Sequence, residues 1–394
     1  MVNKLFSFLL VFTVLNSNSQ SNKYDSKFSY INESGEKLFD IECKYAYNFS
    51  NGLARISKYT IVGDKAYYNY GYINTKGEIV IPCLYEYAYD FNSTATFVKK
   101  RGATEFELID KKGNLLTQKK FTTVGYFFEG MCAIYENDAM GFIDSTGNIT
   151  IQPKYTGAGY FAEGLVCVCP FSSQVAAYGF VDKNDKVIIP LSYKQAGFSS
   201  FQKGEARMQI AGKTVLINKK NEVVFRCKQT TFAGFASNGL AAVGTKPDRT
   251  GWGLINRKGE YKVQPIYTHI DEGQDGNRIM VELKGKHGVI DTTGKIIIPI
   301  KYFNIYGGDE SGFYAVQNSD DQFDKTYLDM DGKEFLKTKV KYLYGAEGSK
   351  LIPFRDPVTE LEGYVDRSGN IAIKPTFKKV SPFAEGMAPV EYVK

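Results

Sequence analysis

An all-β array of ten roughly 37-residue units, each a three-stranded antiparallel meander, is the architecture the sequence predicts, and three observations predict it. One turn of fixed chemistry recurs along the chain. Apolar residues flank that turn at constant offsets. The composition favours strands and tight turns, with 28 Tyr, 28 Phe and 38 Gly against 12 Pro in 394 residues. Aromatic side chains fit a pleated surface and Gly closes hairpins, so many short strands are expected and long helices are not.

The turn is centred on Gly35, Gly77, Gly113, Gly147, Asp185, Asn221, Gly259, Gly294, Gly332 and Gly369, in steps of 34 to 42 residues. Three residues before each anchor stands an Asn or Asp in all ten copies, from Asn32, Asn74 and Asp110 to Asp329 and Asp366. An Asx side chain bonds the backbone two residues on, and the anchor must accept the left-handed conformation, which Gly does freely and Asp or Asn tolerably. Asp185 and Asn221 are therefore expected at positive φ.

The strand entering the turn carries two adjacent apolar residues in every copy, as in Tyr30-Ile31, Tyr72-Ile73, Phe142-Ile143 and Tyr364-Val365. Adjacent strand residues face opposite sides, so this central strand is expected to be covered on both. After the turn, runs such as Ile79-Val80-Ile81 and Ile296-Ile297-Ile298 read as the next strand. Pro82, Pro153, Pro190, Pro265, Pro299 and Pro375 are expected to end it, because Pro has no N–H for a ladder. An aromatic follows, as at Tyr85, Tyr155, Tyr193 and Tyr267, and a linker then leads to a second signature, seen in Phe127-Phe128-Glu129-Gly130-Met131 and Phe161-Ala162-Glu163-Gly164-Leu165. It opens a third strand, which short turns such as Gly63-Asp64 and Lys284-Gly285 join to the next copy.

These residues together resemble the WG-repeat family, over about residues 24–394. Its namesake pair occurs once, as Trp252-Gly253; elsewhere the Trp position before Gly holds Tyr70, Met140, Tyr178, His287 or Glu362. The resemblance implies a β-repeat architecture and a bacterial source, and implies little about chemistry. A lone meander that is apolar on both faces cannot bury itself, so neighbouring copies must cover one another. An open superhelical array is favoured, because propellers usually hold about four to eight four-stranded blades. A closed β-propeller stays the alternative, since the chain begins on a hairpin with no preceding Gly-Leu-Ala strand and ends on such a strand, at residues 387–393.

At the N-terminus Lys4, the largely apolar run 5–15 and the small polar stretch 16–21 read as a signal peptide over residues 1–19, with the array over 20–394. A secreted or periplasmic location is expected, without a lipid-bearing Cys or a transmembrane segment. The net charge of +6 is spread over 49 basic and 43 acidic residues, so no nucleic-acid-binding stripe is expected. The six cysteines follow neither a disulfide framework nor a zinc spacing, and a Cys43–Cys83 bridge is left open.

No catalytic residue, metal site or cofactor site is expected. His269 and His287 have no Cys, Asp or His at a ligand spacing; Gly212-Lys213-Thr214 lacks the Gly a phosphate loop needs, having Arg207 there; and Asp329-Met330-Asp331-Gly332 is a copy of the repeated turn. Glu129, Glu163 and Glu385 recur at one repeat position, which points to folding, since a catalytic pair is normally unique in a chain. The function expected is a non-catalytic scaffold binding a protein or glycan partner where the copies differ. Tyr59, Tyr67, Tyr68, Tyr70 and Trp252 are the candidate ligand-binding residues, and 170–178, 318–324 and 353–362 are the other divergent stretches. The competing class is a hydrolase of envelope or extracellular polymers, which requires two carboxylates about 5–9 Å apart in a cleft.

Overall fold

The computed structural model describes residues 26–62, 64–170, 177–194, 198–246, 251–271, 276–308, 311–322, 324–336, 339–343 and 349–393; the expected signal peptide, 1–19, lies outside them. Among the described residues every regular element is a β-strand, and every strand pairing is antiparallel.

The repeated turn forms in all ten copies. The anchor N–H donates to the carbonyl of the Asx three residues earlier at 2.9–3.2 Å, and the anchors lie at φ between 63° and 95°, with Asp185 at 64° and Asn221 at 63°. The Asx side chain accepts twice from the backbone, as Asn32 Oδ1 does from the N–H of Ser34 at 3.1 Å and of Glu36 at 2.9 Å. This local chemistry is complete without any tertiary partner.

Among the described residues the fullest units have four strands rather than three, while the sheets of Glu205–Arg226 and Asn304–Leu328 keep three, and Pro does not end the strand after the turn. Ile79–Ala88 passes through Pro82 and bends. Its first half pairs with Lys65–Asn74, through Ile73↔Ile79 and Tyr70↔Tyr85, and its second half pairs with Ala95–Lys100, through Ala88↔Val98. Ile149–Ala158 and Ile371–Val380 do the same. One strand thus closes one unit and opens the next. Pro is tolerated because it sits where the ladder is interrupted: the register shifts between Tyr70 and Tyr72, and no N–H is needed at Pro82. The same bulge explains the Gly of the Trp-Gly pair. A Cβ on Gly71 would lie 2.5 Å from the Ile81 carbonyl oxygen and 2.7 Å from the Cys83 nitrogen.

Among the described residues the apolar core is divided into ten clusters, and each draws on two successive units. Met131, Phe142 and Ile151 of one unit, for example, meet Phe161, Val166 and Val181 of the next. One pairing joins the first and last described strands, a contact the expected open array does not provide. Ser26–Asn32 runs beside Met387–Tyr392, from Phe28↔Glu391 to Asn32↔Met387. The first hairpin, Ser26–Asn32 with Lys37–Cys43, lacks two strands of its own and completes its unit with the last two strands of the chain. Phe28, Tyr30 and Ile41 of that composite unit then pack on Phe49, Ile56 and Ile73. Glu385 also accepts from the Gly52 N–H at 3.0 Å, across 333 residues of sequence. Cys43 and Cys83 both belong to this junction and are thiols there, not a disulfide.

Candidate ligand-binding surface

The hairpin Leu53–Val62 with Lys65–Asn74 has ten-residue strands, where Ala95–Lys100 and Met131–Glu136 have six. The extra length sets Tyr59 opposite Tyr68 and Thr60 opposite Tyr67. Strand alternation then divides the expected tyrosines. Tyr59, Tyr68 and Tyr70 share one face: Tyr68 meets Tyr59 at 6.4 Å, Tyr70 at 6.0 Å and Tyr45 at 5.9 Å between ring centroids, and Tyr70 meets Tyr47 at 6.2 Å. Tyr67 lies on the other face, under the Arg101 guanidinium at 4.2 Å.

Arg55 anchors the shared face. Its guanidinium lies 4.3 Å from the Tyr47 ring and 5.2 Å from the Tyr70 ring, pairs with Asp90 at 3.2 Å and donates to the Ala88 carbonyl of the next unit. Beside it opens a cavity of about 470 Å³, whose wall includes Tyr70, Tyr87, Tyr89, Asp90, Asn92 and Tyr126. Tyr87 and Tyr126 are 51% and 63% exposed at its rim, Tyr87 with the Lys99 ammonium 4.2 Å from its ring and Tyr126 edge-on to Tyr89 at 5.4 Å. Burial, then the neighbouring Tyr70 hydroxyl, pushes the Tyr47 phenol up to about 12, so it stays neutral in ordinary conditions. The arrangement offers flat aromatic faces, a charge-balanced Arg–Asp pair and an amide within one concavity.

Sequence reasoning missed Arg55, Tyr87, Tyr89, Asp90 and Tyr126. Tyr87, Tyr89, Asp90 and Tyr126 lie on or beside first strands that the sequence presents as linkers, and Arg55 lies on the strand Leu53–Val62 that follows one. A signal was present in the residue before the repeated Phe, which in five copies runs Asn48, Asp90, Tyr126, Tyr160 and Ser200 and so varies where the Phe does not.

Trp252 does not belong to this surface, which corrects its assignment as a ligand-binding residue. It occupies the repeat position of Tyr70 but is only 3% exposed, packed with Leu254, Val263, Tyr267 and Ile270 and edge-on to His269 at 5.7 Å. The repeated carboxylates are structural. Glu129 accepts from the N–H groups of Glu163 at 2.7 Å and Gly164 at 2.9 Å, and Glu163 accepts from the Gly204 N–H at 3.0 Å, so each caps the same turn one unit on. Burial pushes the thiols of Cys132 and Cys167 up to about 12, away from thiolate chemistry. Of the other divergent stretches, residues 171–176 and 323 lie outside the described residues, and Asp356 closes a local turn by accepting from the Thr359 N–H at 2.7 Å.

Units of three or four strands that cover one another, some of them sharing a strand, define a β-repeat protein. The model of the WG containing repeat family matches residues 28–59, 70–102, 108–138, 140–169, 178–213, 252–286, 288–320 and 363–392. The chain belongs to that family. The two long unmatched stretches hold the Asn221 and Gly332 turns, whose central strands lack the Gly of the Trp-Gly pair. Comparison with curated proteins gives no match. Among solved structures, a eukaryotic initiation factor aligns at TM-score 0.45 and 10% identity, over 78% of this chain and 94% of its own. Hsv2p of Kluyveromyces lactis aligns at 0.33 and 8%, over 72% and 97%, and a Bacteroides caccae protein of unknown function at 0.25 and 12%, over 60% and 90%. No helix among the described residues is long and apolar enough to cross a membrane.

Proposed function

We propose that this chain is an exported, non-catalytic binding protein, a closed ring of ten blades of three or four strands, that holds a glycan on the aromatic face around Arg55. The observation that carries the reading is the cavity of about 470 Å³ in which tyrosine rings converge with the Arg55–Asp90 pair and Asn92. The C–H faces of a sugar stack on aromatic rings, while its hydroxyls exchange hydrogen bonds with guanidinium, carboxylate and amide groups. The site suits a sugar better than a protein partner, because a stable protein interface needs a broad surface of about 1,200 Å² or more rather than one concavity. Asp90 is the one carboxylate lining the cavity, and it faces a guanidinium, which supports binding over the two-carboxylate chemistry of a glycosidase. The N-terminal signal pattern supports export.

Isothermal titration of the full chain with neutral linear oligosaccharides tests the reading. Binding is expected, and Tyr87→Ala with Tyr126→Ala should weaken it about tenfold or more, with the fold retained because both rings are more than half exposed. Failure of every sugar to bind would remove the glycan assignment. Fractionation of cells expressing the chain with and without residues 1–19 tests export.

A further inference from the structure

The repeat places a second arginine where Arg55 stands. Arg55 lies opposite Tyr72 and Arg207 opposite Leu216, in each case two residues before the Asx of the turn. Each guanidinium donates to the matching carbonyl of the following unit, Arg55 to Ala88 and Arg207 to Phe232, the latter at 3.0 Å. Ala88 and Phe232 are equivalent because both pair with the same ladder position, Val98 and Val243. Beside Arg207 lies a cavity of about 270 Å³, with Tyr160, Phe198 and Phe235 in its wall. Tyr160 and Phe198 are 44% and 47% exposed. Gly157 makes room for Phe198, since a Cβ there would run into its ring.

The two cavities differ in charge. Two residues beyond the accepting carbonyl, the first has Asp90 and the second has Gly234. Arg207 is exposed and has no carboxylate within ion-pair distance among the described residues, whereas Arg55 has Asp90 at 3.2 Å. The acidic residue in the second wall, Glu205, is bound by both nitrogens of Arg257, at 2.7 and 3.1 Å. That pairing cancels its charge and leaves one uncompensated cation beside aromatic rings.

We infer that the Arg207 cavity is a second saccharide subsite that takes the carboxylate of a uronic acid residue, its ring stacked on the exposed aromatics. The inference rests on the glycan reading of this surface and adds that the ligand is acidic. A planar guanidinium matches a carboxylate in a charge-assisted, two-point contact, which a neutral sugar cannot supply.

The test compares a hexamer of galacturonic acid with its fully methyl-esterified form, a chain of equal length without charge, by titration against the full chain. The acid should bind about tenfold tighter, the preference should shrink between about 50 and 500 mM salt, and Arg207→Gln should abolish it, so that acid and methyl ester bind the variant equally. Arg207→Lys should retain part of the preference. The ester comparison uses the unaltered protein, so it stands even if Arg207→Gln misfolds through loss of the Phe232 contact. Equal binding of acid and ester, with both weakened by Tyr126→Ala, would overturn this inference and leave the glycan reading intact. Tighter binding of hexaglutamate than of the hexuronate would reassign the subsite to an acidic peptide and overturn it too. No binding of any sugar would overturn both.

Discussion

The arc from residue 45 to 207 and the arc from 231 to 382 are built from the same unit, yet only the first carries a row of exposed rings. Along it stand Tyr87, Tyr126, Phe128, Tyr160 and Phe198, on or just beyond the strands that open successive units and each more than two-fifths exposed. Among the described residues of the second arc only two rings, Phe303 and Tyr306, are exposed to that degree, at 44% and 45%, while Ile270 is buried. The turns and the inter-unit clusters are alike in both arcs. Positions that every unit needs for folding are therefore repeated around the chain. Those that packing leaves free have diverged, and on one arc they have become aromatic.

If both arcs depend on closure, breaking it should affect them together, and this is the largest effect expected. A chain ended after Val316 removes the strands that complete the Ser26–Cys43 hairpin. It exposes two sheet edges at once and should aggregate or lose its cooperative melt, read by circular dichroism and gel filtration. A soluble, β-rich truncation with a merely lower melting temperature would restore the open array.

The next effect separates strain from crowding. Gly147→Val, at φ 95° with a Cβ pressing into the Leu116 carbonyl, should destabilise by about 3 kcal/mol. Gly259→Val, at φ 79° with nothing within 4 Å, should cost only about 1–2 kcal/mol of backbone strain. Denaturant midpoints measure both, and equal losses would mean that crowding at the Leu116 side is relieved by a shift.

A smaller effect concerns the two anchors that are not Gly. Asp185 accepts from the Tyr155 hydroxyl at 2.7 Å and pairs with Lys154, and Asn221 accepts from the Tyr193 hydroxyl at 2.7 Å. Each ties its turn to the preceding unit, which offsets the cost of a left-handed side-chain-bearing residue. A double-mutant cycle of Asp185→Gly with Tyr155→Phe should give a coupling of about 1 kcal/mol, and additive losses would deny the tie.

The smallest is pH-dependent. The Ser29 hydroxyl foremost, then Lys27 and Lys37, hold the Asp40 carboxyl down to about 2 on the closing hairpin. Its folded pKa is depressed, so its contribution is present above the unfolded value of about 4 and is lost as pH falls toward 2. Asp40→Asn should lower stability at pH 6 by less than about 1 kcal/mol, as for other exposed pairs, and should match the unaltered chain at pH 2.

The sequence by itself determined the ten turns, the anchors at positive φ and the all-β character. Their chemistry is local: Asn32 bonds its own turn, and Asp185 adopts φ 64° within three residues of its partner. It also marked the repeated glutamates as structural, because recurrence can be read without coordinates. Only the tertiary structure decided that Pro82 lies at a bend inside a strand shared by two units, that Ser26–Asn32 pairs with Met387–Tyr392, and that Trp252 is core while Tyr70 at the same position is half-buried beside a cavity. Each of these depends on which distant strand lies alongside, and a repeat written into every unit looks the same whether its ends meet or part. The binding surface was hidden for the same reason, since Arg55, Asp90 and Tyr126 come from three successive units and meet only when those units pack.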